Sequence, residues 1–511
     1  MARLVDTAAA VASTPARTAK IALLADLLRG LAGEEIEATV GILTGRVRQG
    51  RVGVGWRSVG DLAVPAAQRS LLSVLDVDAA LERLGALAGG GSARRRRLEM
   101  ESLWARATAD EQRLLARVLL GEIRIGALDG VMVDALAAAA QLPGAVVRRA
   151  VMLSGSLTRT ARLALTGTRA DVEGVGLTVG VPVLPMLAST ATDVGAALAV
   201  TGPAAVEYKL DGARIQVHRW GGSTGSAVPA QVRVHSRTLA DITERVPEIV
   251  DVVRGFPGGD LVLDGETLAL TEDGRPRPFQ DTMSRFGAGA TRQQVLRPWF
   301  FDVLHADGAD LLDAPLAERR QVLRAVVGAH GIPSVVTDDP DVAARVARES
   351  LAAGHEGVVV KAVDSAYAAG RRGKAWLKVK PVHTYDLVVL AAEWGSGRRT
   401  GWLSNLHLGA RDPAVAMGEP GAFVMVGKTF KGLTDEMLRW QTERLLAIET
   451  RRTRYAVFVA PALVVEIALD GVQRSGRYPG GVALRFARVK RYREDKSPAE
   501  ADTIDTLRAL R

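Results

Sequence analysis

The chain has 511 residues, which is too many for one ordinary hydrophobic core, so two to four domains are expected. Its 66 Lys and Arg outnumber 57 Asp and Glu, and the net charge of +9 favours a polyanionic partner such as nucleic acid. The absence of cysteine excludes disulfides, thiolate zinc sites and a cysteine nucleophile, and it fits a cytoplasmic protein. No apolar run reaches the roughly eighteen residues that cross a bilayer and no secretory leader is recognisable, so no membrane partner is expected.

Residues 17–180 are predicted to form an all-helical domain, because Leu, Ala, Val and Arg dominate and apolar residues recur every three or four positions. Residues 1–16 are expected to be a short frayed end, and residues 94–97, all arginine, a loop before a helix. Basic residues here could line DNA phosphates, although four arginines alone more often form a solvated face. The predicted helices are Ala19–Leu28, Leu98–Leu120, Val131–Gln141 and Ala145–Leu153.

The composition changes near residue 174. Gly174–Pro182 is rich in glycine and is predicted to be a linker, and Gly221–Ala230 a hairpin tip. Between residues 183 and 381, runs with a period of two alternate with helical runs. The predicted strands are Arg214–Trp220, Gln231–Ser236, Asp260–Leu270, Trp299–Leu304 and Gly357–Lys361, and the predicted helices are Asp241–Arg254, Leu316–Val327 and Asp338–Ala353.

The last part of the chain, from residue 383, has short strands, Gly-rich turns and one helical stretch. This combination in about 125 residues predicts a small β-barrel. The predicted strands are Tyr385–Ala392, Leu403–Leu408, Ala422–Val426 and Leu463–Ile467, with a helix at Thr434–Ile448.

One stretch, Glu207-Tyr-Lys-Leu-Asp-Gly-Ala-Arg214, contains a Lys-x-Asp-Gly-x-Arg core between runs that alternate like strands. Lys209 should therefore lie at a strand–loop–strand junction that faces a pocket. Only ten of the 66 basic residues are lysine, and all except Lys20 lie at or after this motif. Arginine stays protonated, whereas a lysine amine can attack phosphorus or carbonyl carbon. Lys209 is the candidate nucleophile, and an ordinary surface charge is the alternative.

Attack of a lysine on the α-phosphorus of a nucleoside triphosphate would need carboxylates for Mg²⁺ and cations for the phosphates. Glu266 ends a predicted strand in Leu-Asp-Gly-Glu, and Glu356 begins another that ends in Lys361. Lys378 and Lys380 alternate in Trp-Leu-Lys-Val-Lys and share one strand face. The adjacent basic residues in a glycine-flanked loop are Arg371, Arg372 and Lys374. Each pattern is weak by itself, but their order behind the lysine motif is specific.

This order resembles that of the covalent nucleotidyltransferases and, within them, the ATP-dependent DNA ligases of the archaeal and eukaryotic replicative type, also found as a second ligase in some bacteria. The resemblance extends over residues 17–511. The motifs that carry it are Lys209–Arg214, Ser236-Arg237, Leu263–Glu266, Phe300–Leu304, Glu356–Lys361, Trp376–Lys380 and Leu484–Lys496, which contains Arg-x-Asp-Lys.

The resemblance implies a multidomain protein with an all-α N-terminal DNA-binding domain in residues 1–175. An α+β nucleotidyltransferase (adenylation) domain in residues 176–382 and a C-terminal OB-fold β-barrel in residues 383–511 would follow. The implied activity is the sealing of nicks in double-stranded DNA, with ATP as cosubstrate and Mg²⁺ as the metal. A monomer that acts in replication, repair or recombination is expected.

The resemblance also implies a role for each motif residue. Lys209 would become the AMP-lysine, Glu207 would recognise the adenine amino group, and Phe301 would stack on adenine, with the adjacent Phe300 as the alternative. The remaining roles are the ribose contacts Arg214 and Glu266, the metal ligands Glu266 and Glu356, the phosphate-binding residues Arg237, Arg372 (or Arg371), Lys361, Lys378 and Lys380, and Arg493, Asp495 and Lys496 over the pyrophosphate. The C-terminal domain would rotate about a hinge at residues 380–383 between steps.

Four alternatives remain open at this point. An mRNA capping guanylyltransferase shares the lysine motif but usually lacks so large a helical domain, and an RNA ligase would differ in substrate. NAD-dependent ligases normally carry a four-cysteine zinc module, and this chain has no cysteine. A non-catalytic DNA-binding factor with a decayed nucleotide fold would have lost motif carboxylates and lysines, and all of them are present.

Overall fold

The first part of the chain consists of helices around one apolar core. The computed structural model describes residues 1–50, 52–123, 129–222, 229–286, 295–368, 370 and 372–510. In the described part, every helix is too short or too polar to cross a membrane. The helices of this region are Ala2–Ser13 (α1), Arg17–Arg29 (α2), Glu35–Thr44 (α3), Trp56–Gly60 (α4), Val74–Ala86 (α5), Ser92–Ala105 (α6), Ala109–Leu119 (α7), Asp129–Ala140 (α8), Gly144–Ser154 (α9), Leu157–Thr166 (α10) and Arg169–Glu173 (α11).

Three predictions about this region are wrong. Residues 2–13 are helical instead of frayed, because Leu4, Ala8 and Val11 are spaced along one face and bury themselves in the core. The four arginines at 94–97 lie inside α6 and not in a loop. The helix expected from residue 98 to 120 is broken in two, because Thr108 caps α7 in a capping box with Glu111. The segment Gly121-Glu-Ile-Arg-Ile-Gly126, which also resembles the DNA-binding domain of the ligases, lies partly in residues 124–128, outside the described part.

The middle of the chain forms two five-stranded sheets with helices between the strands. Its elements are Leu187–Thr190 (β1), Val194–Thr201 (α12), Ala204–Tyr208 (β2), Ala213–Trp220 (β3), Gln231–Ser236 (β4), Pro247–Arg254 (α13), Leu261–Ala269 (β5), Phe279–Ser284 (α14), Leu296–Ala306 (β6), Ala309–Asp310 (β7), Leu316–Val327 (α15), Ser334–Thr337 (β8), Pro340–Ala352 (α16), Val358–Ala362 (β9) and Arg372–Val379 (β10). The first sheet has the order β1-β10-β9-β2-β8 and the second β4-β3-β5-β6-β7.

Most predicted boundaries in this region agree with the structure within a few residues. β4 and α15 have the predicted bounds. The helix expected over 241–254 begins only at Pro247, after a short 3₁₀ turn at Thr243–Arg245. Proline fits the first helical position but forces the preceding residue, Val246, out of the helical conformation. The segment between α11 and β1 contains no regular element, as expected of a linker, and the predicted hairpin tip lies mostly outside the described residues.

The chain crosses from the first sheet to the second between β2 and β3, in the four residues Lys209–Gly212. The crossing is tied to β9, because the Lys209 backbone N–H donates to the Gly357 carbonyl (2.8 Å) and the Glu356 N–H donates to the Lys209 carbonyl (3.0 Å). On the other side, a Cβ atom on Gly212 would collide with the Thr267 carbonyl oxygen of β5. The Lys-x-Asp-Gly glycine is therefore required by the close approach of two backbones.

The C-terminal part is built around a seven-stranded sheet. Its elements are His383–Trp394 (β11), Leu403–Arg411 (β12), Phe423–Thr429 (β13), Asp435–Ala447 (α17), Glu449–Arg452 (β14), Ala456–Val459 (β15), Val464–Leu469 (β16), Gly471–Arg474 (β17), Val482–Arg485 (β18), Arg488–Tyr492 (β19) and Ile504–Arg508 (α18). β13-β12-β11-β15-β14 are successive neighbours, and β16 joins β11 to β19. The four strands and the helix predicted from sequence are all present, and Thr434 caps α17.

Arg219 on β3 is almost fully buried, at 1% exposure, and among the described residues no carboxylate is bonded to it. Its guanidinium group donates instead to backbone carbonyls of the loop between α13 and β5, at 2.6–3.1 Å. The accepting residues are Val253, Phe256, Pro257, Gly258 and Gly259. One arginine therefore holds the loop that leads into β5, a strand that supplies residues of the site described below.

We predict that Arg219→Met lowers the free energy of unfolding by about 3 kcal/mol or more, because several buried carbonyls lose their donor. Urea unfolding of the purified variant measures this loss. Arg254→Met is the control, since Arg254 is exposed and should change stability by less than about 0.5 kcal/mol. Equal stability of the two variants would contradict the assigned role of Arg219.

Candidate active site

Lys209 lies in the cleft between the two sheets, and 22% of its side chain is exposed. Its ammonium group forms an ion pair with Glu356, the residue that precedes β9. Asp211, two residues further along the same loop, pairs with Arg485 of the C-terminal region through two hydrogen bonds of 2.7 and 3.2 Å. Burial works to raise the pKa of Asp211, but Arg485 and Lys209 hold it below its usual value. A lysine amine surrounded by carboxylates thus faces the cleft.

Glu266 of β5 faces the same cleft. Burial raises its pKa to about 7, and the carboxylates of Asp264 and Asp211 add to the rise, while the cations Lys209 and Arg214 oppose it. In β5 the backbone of Glu266 pairs with that of Arg214 in β3. A carboxyl group so close to other carboxylates is a position where a divalent cation would bind favourably.

Arg214 is fixed by a network that sequence reasoning did not identify. Its guanidinium group donates to both carboxylate oxygens of Asp264 (3.0 and 2.5 Å) and to the Met186 carbonyl (2.6 Å). The Tyr367 hydroxyl donates to Asp264 at 2.5 Å and accepts from the Met186 backbone N–H at 3.0 Å. Asp264 is fully buried, and through these contacts it links β3 and β5 to the loop between β9 and β10. The motif arginine therefore has one fixed orientation.

The other end of the cleft contains Glu207 and Lys361. Glu207 is 1% exposed, and its two oxygens accept from Arg320 of α15 (2.8 Å) and from Lys361 (2.6 Å). The Lys361 ammonium lies 4.3 Å from the centre of the Phe301 ring and 4.1 Å from that of Trp376. Burial lowers the pKa of Lys361. These residues form a second, more enclosed cluster.

This placement differs from the phosphate-binding position expected for Lys361. Lys361 pairs with Ala205 in β2, whereas Gly357 pairs with Lys209. Four residues of strand separate them, which is about 13 Å. Lys361 consequently lies with Glu207 and Phe301, the two residues expected at adenine, and away from the Lys209 amine.

The two adjacent phenylalanines of β6 face opposite sides of the sheet. Phe300 is fully buried and packs edge-on against Phe256 in the core of the second sheet. Phe301 faces the cleft, where Arg214 lies 5.3 Å from its ring centre and Trp376 packs edge-on at 6.0 Å. Of the two rings, Phe301 is the one available to a ligand in the cleft.

The basic residues of β10 form a row along the edge of the cleft. Burial lowers the pKa of Lys378, and its cationic neighbours Lys380, Lys209 and Arg372 lower it further. Lys380 forms an ion pair with Asp470 of the C-terminal region. Lys378 is thus close enough to Lys209, Lys380 and Arg372 to interact electrostatically with each of them. Arg371, the alternative to Arg372, lies outside the described residues.

The remaining predicted residues are not brought to Lys209. Arg237 is exposed in the turn after β4. Arg493 bonds to Asp386 (3.0 Å) and, through two contacts of 2.8 and 2.7 Å, to Asp495, while Lys496 bonds to Asp386 at 2.6 Å. Within the described part of the chain, the side-chain bonds of Arg493, Asp495 and Lys496 stay inside the C-terminal region.

Sequence reasoning also missed the two arginines of α15. Arg319 forms a fully buried ion pair with Asp302 of β6, through bonds of 2.7 and 3.1 Å, and Arg320 holds Glu207. In the sequence they appear as Ala-Glu-Arg-Arg on an amphipathic helix, which is the pattern of a solvated helix face. Arginine is almost never fully buried unless it is paired, so knowledge that this face of α15 is buried would have suggested a role for both residues. The sequence does not show that this face is buried.

A lysine in a Lys-x-Asp-Gly loop between two sheets, with carboxylates beside it and an aromatic ring further along the cleft, defines a covalent nucleotidyltransferase. Family models agree with this class. The model for the ATP dependent DNA ligase domain matches residues 185–380, that for the DNA ligase N terminus matches residues 55–137, and that for the ATP dependent DNA ligase C terminal region matches residues 399–496.

Full-length relatives and a solved structure point the same way. The chain is 63% identical over 508 residues to a probable DNA ligase of Pseudarthrobacter chlorophenolicus, covering 99% of this chain and 98% of that protein. It is 55% identical over 511 residues to a probable DNA ligase of Rhodococcus jostii, covering 99% of each. The solved structure named Pmar-Lig_Pre has a similar fold, with a TM-score of 0.64 at 18% identity, covering 96% of this chain and 99% of that one. The chain therefore belongs to the ATP-dependent DNA ligase family.

Membership in this family establishes the enzyme as a DNA ligase that uses ATP, and family members work through a covalent lysine–AMP intermediate. The N-terminal, adenylation and C-terminal regions expected from sequence are confirmed as a three-domain ligase architecture.

The raised pKa of Glu266 has a consequence for stability. The folded protein binds the Glu266 proton more tightly than the unfolded chain, whose value is near 4.5. The stabilisation from this group is therefore complete at low pH and is lost as the pH rises through about 7. In metal-free buffer, the unfolding free energy of wild type minus that of Glu266→Gln should fall between pH ~5 and ~8. Chemical unfolding across this range measures the difference, and a flat difference would contradict the prediction.

Proposed function

We propose that this ligase seals nicks in duplex DNA and that Lys209 is the residue that carries AMP. The observation that supports the assignment is the position of the Lys209 amine, at the crossing of the chain between the two sheets, next to Glu356 and Glu266. Of the ten lysines, Lys209 alone lies in the Lys-x-Asp-Gly loop.

The proposed reaction has three steps. The Lys209 amine, after losing a proton, attacks the α-phosphorus of ATP, so that a P–N bond forms and the P–O bond to pyrophosphate breaks. The 5′-phosphate at a nick then displaces the lysine and receives AMP. Finally, the 3′-hydroxyl attacks that phosphate, the strand is joined and AMP leaves. The covalent phosphoramidate preserves the energy of ATP between the two substrates.

Adenine is proposed to bind at the enclosed end of the cleft. The Phe301 ring, unlike that of Phe300, faces this end of the cleft. Glu207 has a carboxylate that suits an exocyclic amino group. Because Lys361 is bonded to Glu207, we reassign it from the phosphates to this end, where it supports Glu207. Arg214 is proposed to approach the ribose together with Glu266.

Glu266 and Glu356 are the proposed ligands of Mg²⁺. In the described part of the chain, no group of three or more acidic or histidine side chains is arranged to hold a metal without help. Mg²⁺ commonly binds one or two carboxylates together with substrate phosphates, so these two residues fit a metal that arrives with the triphosphate. The bound ion would neutralise charge that develops on the phosphates.

Cations along the cleft are proposed to bind the phosphates. These residues are Lys378, Lys380, Arg372 and, after a movement of its exposed turn, Arg237. Arg493, Asp495 and Lys496 are proposed to close over the departing pyrophosphate. In the structure the C-terminal region contacts Asp211 through Arg485 instead, so the first step requires the rotation about residues 380–383.

The proposed domains are 1–175, which binds DNA, 176–382, which carries out adenylation, and 383–511, which has an OB fold. The first and last would enclose the duplex, and a monomer suffices because every proposed site residue comes from one chain.

ATP and chromosomal DNA meet in the cytoplasm, and we propose that the protein acts there. Its substrates are nicks that arise in replication, repair or recombination.

The first test uses ATP labelled at the α-phosphate. With Mg²⁺, the wild-type protein should acquire a label that is attached to Lys209, as located by mass spectrometry of the peptides. Lys209→Arg should abolish labelling, because a guanidinium group cannot supply a free amine. Lys374→Arg is the control and should keep the label. Label on a different residue would contradict the proposal, as would labelling by NAD and not by ATP.

A second test concerns the arginine-rich DNA contacts. The affinity for a nicked duplex should decrease steeply as salt increases, since each Lys or Arg bound to a phosphate releases a counterion. Titration of fluorescent nicked DNA at several salt concentrations measures the slope. A nearly flat slope would contradict an enclosing electrostatic interface.

A further inference from the structure

Asp386 of β11 binds two of the residues proposed to act on pyrophosphate. Only 10% of its side chain is exposed, and its Oδ2 atom accepts from Arg493 Nη1 (3.0 Å) and from Lys496 Nζ (2.6 Å). Its Oδ1 atom is buried and has no hydrogen-bond partner among the described residues. Asp386 thus lies beneath a pair of cations and contacts both through one oxygen.

These cations make their side-chain contacts within the C-terminal region. That region meets the adenylation domain through Asp470, which follows β16, and through Arg485. The Arg493 backbone N–H bonds to the Val464 carbonyl at the opposite end of β16 (2.9 Å), five positions from Leu469, or about 17 Å along the strand. Asp386 lies nearer the boundary with the adenylation domain, because it is opposite Glu466 and three residues after His383, where β11 begins. Arg493 and Lys496 are therefore already bonded to Asp386 before any rotation of the C-terminal region.

The charges explain why a third group is needed. Arg493 and Lys496 are both positive and repel each other; Asp495 bonds to Arg493, whereas Asp386 bonds to both cations and so links them. A buried carboxylate between them is little screened by solvent and holds them in one arrangement. Both cations bond to the same oxygen of Asp386, so they lie side by side, and a prearranged pair of charges stabilises a developing anion without reorganisation.

We propose that Asp386 is a positioning residue for the adenylation step alone. It holds Arg493 and Lys496 as one cationic pair that accepts the charge of the departing pyrophosphate, and it has no part in joining DNA. When the P–N bond to Lys209 forms and the P–O bond breaks, the electron pair of that bond leaves with pyrophosphate, next to these cations. This inference depends on the proposed function of Arg493 and Lys496 in that step.

The test separates the steps in the full-length protein. Asp386→Asn keeps the shape of the side chain but removes its charge. Transfer of AMP from labelled ATP to the enzyme in a single turnover should slow roughly 10- to 100-fold, less than after loss of a direct donor. The KM for pyrophosphate in the reverse reaction, release of ATP from adenylated enzyme, should rise to a similar extent. Sealing of a nick that already carries AMP should change by less than about twofold.

The matched control is Glu449→Gln. Glu449 lies on β14 of the same sheet, and its carboxylate accepts from Arg452 Nε at 2.9 Å. This substitution removes a carboxylate from the same sheet and should leave all three measurements within about twofold of wild type, as expected for a partly exposed ion pair.

The outcomes distinguish the inference from the proposal on which it depends. Equal slowing of adenylation and of sealing by Asp386→Asn, with a lower melting temperature, would show a purely structural role and overturn the inference. Unchanged adenylation would also overturn it. If Arg493→Ala and Lys496→Ala slow adenylation while Asp386→Asn does not, only the role of Asp386 fails. If Arg493→Ala and Lys496→Ala leave adenylation intact, their proposed function at pyrophosphate fails as well.

Discussion

The crossing of the chain between the two five-stranded sheets is the constraint on which the active site depends. At residues 209–212 the backbone leaves β2, pairs with the segment before β9 and passes so close to β5 that only glycine fits at position 212. Three strands therefore meet at one short loop. Because β5 carries Glu266 and β9 follows Glu356, the same backbone contacts that fix the loop also bring both carboxylates to the Lys209 amine.

Several functional side chains near this crossing have a bonded partner of opposite charge. Glu207 is held by Arg320 and Lys361, and Arg214 is held by Asp264. Burying ion pairs is costly, and an apolar core of the same volume is often as stable. Their value here is geometric, since a carboxylate with both oxygens bonded has one orientation. Away from these ion pairs, the core that packs against the second sheet is an apolar cluster.

The three regions of the chain contact one another at specific points. Arg149 of α9 bonds to Asp313 before α15 through contacts of 2.8 and 2.7 Å, and Met152 and Leu153 of α9 pack in the same apolar cluster as Phe301. On the other side, Arg485 lies on Asp211 and 4.9 Å from the centre of the Phe279 ring. The nucleotide cleft is thus in contact with both the helical and the C-terminal region, as an enzyme that must respond to bound DNA requires.

The sequence alone determined the class of enzyme and most of the regular elements, and it predicts the nucleophile. A Lys-x-Asp-Gly loop between alternating runs, in a chain where lysine is rare, points to Lys209, because local chemistry and a period of two are both properties of consecutive residues. The same holds for α15 and β4, whose caps and periodicity are local. The N-terminal helix α1 was not predicted, because the burial of its three core residues depends on the other helices that pack against them.

Only the tertiary structure decided which side chains meet. Alternation shows that Phe300 and Phe301 face opposite sides of β6, but which side faces the cleft depends on what packs against each one. The position of Lys361 depends on the pairing of β9 with β2, 150 residues earlier in the chain, and Arg320 on the docking of α15. The positions of Arg493 and Lys496 relative to Lys209 depend on how the whole C-terminal region is oriented. These facts are set by contacts between distant segments, and no local pattern of residues encodes them.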